Sequence, residues 1–315
     1  MAAFAEVKAQ QQPIFTNYTS SYTYINSGYA GMSEGINVMG LYRQQWAGFV
    51  DNDGKEVAPT TYLITGDMPL RALHGGLSFS ILKDHIGFED DAIVGIGYSY
   101  HLDLGGSTLG IGVTGTLCNR TVDFSQLHPG QEGDPLLQGL GEESDMLFDF
   151  NLGLFWQMPE SLYVGFSALN VLQSMTKALG EQNATDEKTT GDQTASFVND
   201  RTFYFVAGYP FQFEDMSSFT FVPSVSAMTN LSSWQLNVGA KVVYRDLFSI
   251  GVNYRPQESI GLTVGLKIKD FSIGYAYDIN TMGLGVPGSH EIALGYCFKL
   301  DLDRTPRDYR SVRYL

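Results

Sequence analysis

The sequence lacks any apolar run of the roughly 18 residues that a membrane-spanning helix requires. Its mainly apolar stretches are short and are interrupted by Gly, Ser or Asp. Proline is scarce, with 11 in 315 residues, and charged residues make up only 17% of the chain. If such a chain enters a membrane, only a closed β-barrel satisfies its backbone hydrogen bonds there.

Basic residues and cysteines are also few. The 19 Lys and Arg against 34 Asp and Glu give a net charge of −15, so no nucleic-acid partner is expected. Cys118 and Cys297 lie far apart, and neither they nor the five scattered histidines have the spacing of a metal site. We found no catalytic constellation, and we expect a protein that is not an enzyme and needs no cofactor.

Glycine and aromatic residues are abundant, with 35 Gly, 18 Tyr and 20 Phe, as is typical of β-structure with aromatic rims. Apolar and small or polar residues alternate in many segments, so that a strand would have one apolar face. A soluble sheet or a membrane barrel would each produce this pattern. In residues 92–104 the even positions are Val94, Ile96, Tyr98, Tyr100, Leu102 and Leu104, and the odd positions from 95 are Gly95, Gly97, Ser99, His101 and Asp103.

The alternation predicts fourteen strands, an even number as in single-chain bacterial barrels. Long and short connections also alternate, with the acidic loops 119–145 and 173–200, and longer loops near 50–58, 83–90 and 279–288, on one side. We therefore predict an all-β fold, a transmembrane antiparallel β-barrel in the bacterial outer membrane, with the long loops outside. The predicted strands are 36–49, 59–68, 74–82, 91–104, 107–118, 145–157, 161–170, 200–213, 219–228, 233–244, 247–256, 260–268, 271–278 and 289–301.

The residues before the barrel divide into two segments. Residues 1–9 resemble the end of a signal peptide without its apolar core, and we interpret them as a remnant. Residues 10–35 include Phe15, Tyr18, Tyr22, Tyr24 and Tyr29, which make the segment too aromatic for a free tail. Our hypothesis is that residues 15–35 plug the barrel, with Tyr hydroxyls bonded to its polar inner wall. The rival interpretation is a periplasmic docking segment.

After the barrel, which we place at residues 36–301, residues 302–315 form a basic periplasmic tail. Arginine recurs at every third position of this tail in an otherwise acidic chain. These arginines are candidate partner-binding residues for an acidic periplasmic protein. A solvated tail, or one that pairs with lipid head groups, would have the same sequence. The candidate residues are Arg304, Arg307, Arg310 and Arg313.

Stretches along the whole chain resemble the PorP/SprF family. Residues 26–31 (NSGYAG) are similar to the N-P-A-Y-A-G box of that family, with Ser-Gly in place of Pro-Ala. Residues 42–46 (YRQQW) lie in the first predicted strand. Residues 275–278 (YAYD), 288–292 (GSHEI) and 295–296 (GY) resemble its terminal signature, and 311–315 (SVRYL) resembles its end.

The resemblance implies an outer-membrane component of the type IX secretion and gliding machinery of Bacteroidota. Such a component aids secretion or surface attachment of adhesin-like cargo, and its partners are outer-membrane lipid, periplasmic type IX secretion subunits and the secreted cargo. It implies no active site. The alternatives are an outer-membrane transporter or diffusion channel for small solutes and, less favoured, a soluble β-sandwich or lectin.

Overall fold

The computed structural model describes residues 12–33, 35–50, 54, 57–126, 141–159, 161–176, 197–212, 218–283, 285 and 287–299. Their strands form one antiparallel sheet, in which neighbours in sequence are neighbours in space. The strands are β1 Gly35–Gln44, β2 Thr60–Leu70, β3 Gly75–Ile86, β4 Glu89–Asp103, β5 Thr108–Asp123, β6 Glu142–Gln157, β7 Tyr163–Leu169, β8 Thr202–Gly208, β9 Phe211–Gln212, β10 Phe219–Thr229, β11 Trp234–Tyr244, β12 Phe248–Arg255, β13 Ser259–Ile268, β14 Phe271–Asn280 and β15 Ser289–Lys299.

The sheet closes into a barrel because its first and last strands pair. β1 pairs with β15 along its whole length, from Gly35 opposite Lys299 to Gln44 opposite His290. β8 and β9 are two segments of one strand, since both pair with β10. The barrel therefore has fourteen strands, as predicted, and closure leaves no unpaired sheet edge toward lipid. No helix in the described ranges is long and apolar enough to span a membrane.

Exposure along the strands follows the predicted alternation. In β4 the outward side chains Val94, Ile96 and Tyr100 are exposed, with Ile96 at 70%, while the intervening Gly95 and Ser99 are buried. The outer surface is apolar because it meets hydrocarbon, and the inner surface is small and polar.

The connections lie at two unlike ends of the barrel. The long-loop end has connections 45–59, 87–88, 124–141, 170–201, 230–233, 256–258 and 281–288, and the short-turn end has 71–74, 104–107, 158–162, 213–218, 245–247 and 269–270. Bacterial barrels have their longer loops outside the cell. By this rule we expect the long-loop end to be the outer one. β1 begins and β15 ends at the short-turn end, which would then be periplasmic.

Several predicted boundaries were wrong at the long-loop end. The longer loop expected near 83–90 is the two-residue turn 87–88, because β3 continues to Ile86 and β4 begins at Glu89. β1 ends at Gln44, before Trp46, whose φ of 51° does not fit a strand. The loop predicted at 119–145 is shorter, because β5 continues to Asp123 and β6 begins at Glu142, whereas the loop predicted at 173–200 is longer, at 170–201. Residues 127–140 and 177–196 lie outside the described ranges.

Residues 12–33, here called the plug, precede β1 and lie against the inward-facing side chains of the barrel. They contain the short helical turns Tyr18–Ser21, Tyr22–Ile25 and Ser27–Tyr29, and all of these turn residues are buried. Residues 12–33 thus occupy the position that the plug hypothesis describes.

Candidate functional site

The plug runs the length of the lumen. Thr16 bonds to Asp278 and Glu291, which lie beside the 281–288 connection at the long-loop end. Gly31 packs against Gly76 and Pro69, which lie beside the 71–74 turn at the short-turn end. The chain therefore descends through the barrel from its outer end before it turns into β1.

A group of carboxylates holds the plug at the long-loop end. The two carboxylate oxygens of Glu291 accept hydrogen bonds from the backbone N–H of Thr16 at 2.8 Å and of Asn17 at 2.7 Å. The hydroxyl of Thr16 lies 2.7 and 2.8 Å from the two carboxylate oxygens of Asp278. Charged acceptors form stronger hydrogen bonds than neutral ones, so both carboxylates fix this part of the plug backbone.

Two arginines neutralise these carboxylates. Arg43 contacts Asp278 at 2.9 Å and Glu291 at 3.2 Å, and Arg255 also donates to Asp278. Both guanidinium groups donate to the Thr16 hydroxyl oxygen, at 3.1 and 3.2 Å. A charge buried in this way requires a partner, because an unpaired one carries a large desolvation cost. We call Thr16, Arg43, Arg255, Asp278 and Glu291 the ionic anchor.

Glycines form the wall where the plug backbone approaches it most closely. A Cβ on Gly110 would lie 2.0 Å from the carbonyl oxygen of Gly28, and one on Gly112 would lie 2.1 Å from that of Ser27. No real side chain fits at those distances, so glycine lets the backbones of wall and plug approach each other. The glycine seat consists of Gly76, Gly110, Gly112 and Gly153.

Polar groups around the glycine seat satisfy the plug backbone. Ser99 donates to the carbonyl oxygen of Gly28 at 2.9 Å, and Ser167 donates to that of Ile25. Asn26 donates its side-chain amide to the carbonyl oxygen of Leu154 at 3.0 Å. These bonds supply partners that buried backbone groups need in the absence of bulk water.

Aromatic rings fill the middle of the lumen. Tyr22 lies with its ring centroid 5.3 Å from that of Tyr29 and 5.6 Å from that of Phe155. Tyr22 is fully buried among these rings. Its hydroxyl lies 3.1 Å from the hydroxyl of Tyr163 on β7. The plug centre is therefore an uncharged aromatic core.

The predicted role of the Tyr hydroxyls was right only in part. Tyr22 reaches the wall at Tyr163, whereas Tyr24 donates to Gln12 within the plug at 3.1 Å. Most bonds to the wall come instead from the plug backbone and from Thr, Asn and Ser side chains, including the bond of Thr23 to Asp67 at 3.0 Å.

The candidate partner-binding residues Arg304, Arg307, Arg310 and Arg313 lie outside the described ranges. Several stretches with the family resemblance, by contrast, hold the plug or belong to it: Arg43, Asp278 and Glu291 are part of the ionic anchor, and residues 26–31 rest on the glycine seat. Sequence reasoning did not identify this site. The available signal was three charged residues, one each on β1, β14 and β15, whose nearest neighbours on the same strand face are uncharged.

The ionic anchor offers no metal chemistry, since its carboxylates already bind two guanidinium groups and the plug backbone. Across the described part of the chain, no group of three or more His, Cys, Asp or Glu side chains could hold a metal ion. The arrangement is suited to holding a segment of the chain in the lumen.

Comparisons with known proteins give a family and several barrels. The family model described as "Type IX secretion system membrane protein PorP/SprF" matches residues 7–296. No curated protein matches the chain. Similar solved structures include the KdgM porin, at 9% identity and a TM-score of 0.38, which covers 83% of this chain and 99% of its own. The outer membrane protein Omp33 of Acinetobacter baumannii, at 8% identity and a TM-score of 0.44, covers 85% and 100%.

Proposed function

This chain belongs to the PorP/SprF family of type IX secretion system membrane proteins, and we propose that it aids secretion or surface attachment of adhesin-like cargo without acting as an enzyme. It is a β-barrel of the outer membrane. The family match covers both the plug and the barrel, from residue 7 to residue 296.

The observation that carries this proposal is that residues of several family-like stretches hold the plug. Arg43, Asp278 and Glu291 all hold the plug rather than line an open pore. A barrel whose lumen is filled along its length is poorly suited to diffusion of solutes. It is better suited to binding proteins at its two ends, as a component of a secretion machine would.

The two ends favour different partners. Acidic residues are frequent in the sequences of the outer 119–145 and 173–200 regions, and secreted cargo would meet the barrel there. The tail arginines follow β15, which ends on the periplasmic side, so they would meet a periplasmic secretion subunit with an acidic surface. The apolar outer wall contacts outer-membrane lipid.

An experiment on cells tests the secretion role. The gene is deleted, and the proteins of the cell surface and the culture medium are quantified with and without a plasmid copy. We expect a small set of large adhesin-like proteins to be lost from both fractions and restored by the plasmid. An unchanged set of surface and secreted proteins would contradict the proposal.

A second experiment tests the partners. The full-length barrel and a variant with all four tail arginines replaced by Gln are purified from detergent-solubilised outer membranes, and bound proteins are identified. We expect periplasmic secretion subunits with the full-length barrel and a reduced amount with the variant. Equal amounts of these subunits with both barrels would show that the tail arginines are not part of the interface. The cargo role is tested separately by the gene deletion.

The alternative function is diffusion of small solutes, which is favoured by Ser224 and Ser226 on the inner wall because both remain accessible to water. Swelling of liposomes that contain the barrel, in solutions of mono- and disaccharides, tests it. The plug predicts no swelling above that of empty liposomes.

A further inference from the structure

A groove crosses the outer wall of the barrel on strands β10–β14. It has a volume of about 410 Å³, which lies within the range of small-molecule sites, about 300–1,000 Å³. Apart from Ser249 and Gly265, whose register points inward, the lining residues are apolar or aromatic. The groove therefore opens on the face of the barrel that contacts hydrocarbon.

Strand register explains the shape of the groove. Its floor is a row of β-branched residues that are paired across β11, β12 and β13: Val242, Ile250 and Val264. The next outward row toward the short-turn end consists of larger side chains and forms a rim: Tyr244, Phe248 and Leu266. Tyr275 on β14 is paired with Val264 and ends the floor on that side. Short side chains beside longer ones leave the recess.

Apolar character alone does not select an occupant for this groove. Lipid tails are as apolar as the wall, so no hydrophobic gain separates one membrane molecule from another there. An acyl chain gains packing contacts in a recess of matching width. A preference for one class of lipid then requires a second contact, at the head group.

Basic side chains supply that contact at the short-turn end of the groove. Tyr244 lies in an aromatic row of the kind that marks a membrane interface. The guanidinium carbon of Arg245 lies 5.2 Å from the centroid of the Tyr244 ring, which holds the cation beside the rim. Lys269 is exposed in the 269–270 turn, two strand spacings or about 10 Å along the same end. Among the described residues, neither of these cations forms an ion pair.

The charge balance at this end of β11–β15 favours an anion. The described chain has four basic and two acidic residues here: Arg245, Lys267, Lys269 and Lys299 against Asp246 and Asp270. Asp270 is already paired with Lys299 at 3.4 Å. Basic side chains at the level of the lipid head groups attract anionic lipids.

We propose that this groove binds one anionic phospholipid from the membrane leaflet at the short-turn end. One acyl chain lies on the Val242, Ile250 and Val264 floor, and the phosphate lies against Arg245 and Lys269. The site is separate from the secretion role and does not depend on it.

Native mass spectrometry of the full-length barrel, released from detergent, tests the proposal. Phosphatidylglycerol and phosphatidylcholine with identical acyl chains are titrated separately, and circular dichroism confirms folding. The head-group variant is Arg245→Gln/Lys269→Gln, and its control is Lys83→Gln, an exposed lysine toward the long-loop end of β3. The groove variant is Val264→Trp, and its control is Val113→Trp, an exposed outward residue of β5.

We expect wild type and both controls to retain one phosphatidylglycerol, at least about fivefold more tightly than phosphatidylcholine. The head-group variant should lose this preference, and Val264→Trp should weaken retention of both lipids. Equal retention of the two lipids by wild type would overturn the proposal. So would an unchanged preference in the head-group variant, equal lipid retention by Val264→Trp and Val113→Trp, or a second copy of the chain bound in place of lipid.

Discussion

The two sides of the barrel wall hold the plug by different physical means. The β2–β7 side contacts the plug backbone directly, at distances that only glycine permits, as at Gly110 and Gly112. The β10–β15 side meets it chiefly at the ionic anchor, through Arg255, Asp278 and Glu291. Shape fixes the plug on the first side and charge fixes it on the second.

Glycine has a different role on each side. On the plug-covered side, the nearest atoms to a Cβ on Gly110 or Gly112 belong to the plug backbone. On the β11–β12 wall, a Cβ on Gly239 would meet the Asn253 side chain, and one on Gly251 would meet the Thr263 side chain. The same residue type thus admits the plug backbone on one wall and neighbouring wall side chains on the other.

Removal of the whole plug should erase the difference between the two sides. Deletion of residues 12–33 leaves a fourteen-stranded barrel with an empty polar lumen, so we expect a marked rise in single-channel conductance over wild type. Planar-bilayer recordings measure it, with folding checked by circular dichroism. An unchanged conductance from a folded barrel would show that the segment does not obstruct the lumen.

Breaking the ionic anchor should release the plug on the charged side. Asp278→Asn leaves Arg43 and Arg255 without their shared carboxylate, and removal of one buried ionic partner costs about 3–5 kcal/mol. We expect the free energy of unfolding, from urea titration in lipid vesicles, to fall by that amount. The control is Asp246→Asn in an exposed turn, and equal stability of the two variants would refute the anchor.

A larger residue in the glycine seat should disturb the packing of the plug against the β2–β7 side. Gly110→Val would place its Cβ against the carbonyl oxygen of Gly28, so we expect a loss of about 1–3 kcal/mol from overpacking and a higher conductance. Gly115→Val on the same strand is the matched control, because its Cβ would meet only Phe148 at 4.0 Å. If Gly110→Val is as stable as Gly115→Val, the plug does not pack closely against Gly110.

Serine substitutions on the two sides should give the smallest difference in stability. Ser99 is fully buried and bonds to the plug, so Ser99→Val leaves the Gly28 carbonyl oxygen without its donor and should cost about 1–3 kcal/mol. Ser226 is half-buried beside a small cavity, where a water can take the place of its hydroxyl, and Ser226→Val should cost less than about 0.5 kcal/mol. Urea titration of both variants measures the difference, and equal costs would mean that the two sides are alike.

The strands were largely predictable from the sequence because each has lipid on one face and the lumen on the other. That contrast determines which positions are apolar and which are small or polar in segments such as 92–104. It fades where strands leave the membrane, and for this reason the extension of β3 and β4 to a turn at 87–88 was missed. Residues outside lipid no longer need an apolar face.

The plug was predictable in outline and its anchor was not. The aromatic residues between Phe15 and Tyr29 indicated a segment that needs to be buried. The bond between Thr16 and Glu291, however, joins residues 275 positions apart. Such a contact depends on strand register and on barrel closure, which sequence alternation alone does not determine. The charges at positions 43, 278 and 291 could be recognised as unusual, but their partners could not be assigned.

Closure of the barrel has a consequence for the order in which the chain folds. Arg43 and Glu291 are direct partners in the β1–β15 seam, and the same Glu291 binds the plug backbone. Contacts this remote in sequence form late, because the chain entropy lost in joining the ends is large. The seam and the plug should therefore become ordered together, in one cooperative step. A chain that closed its seam first would have to draw residues 12–33 in through an open end of the lumen, and we expect that route to be slower.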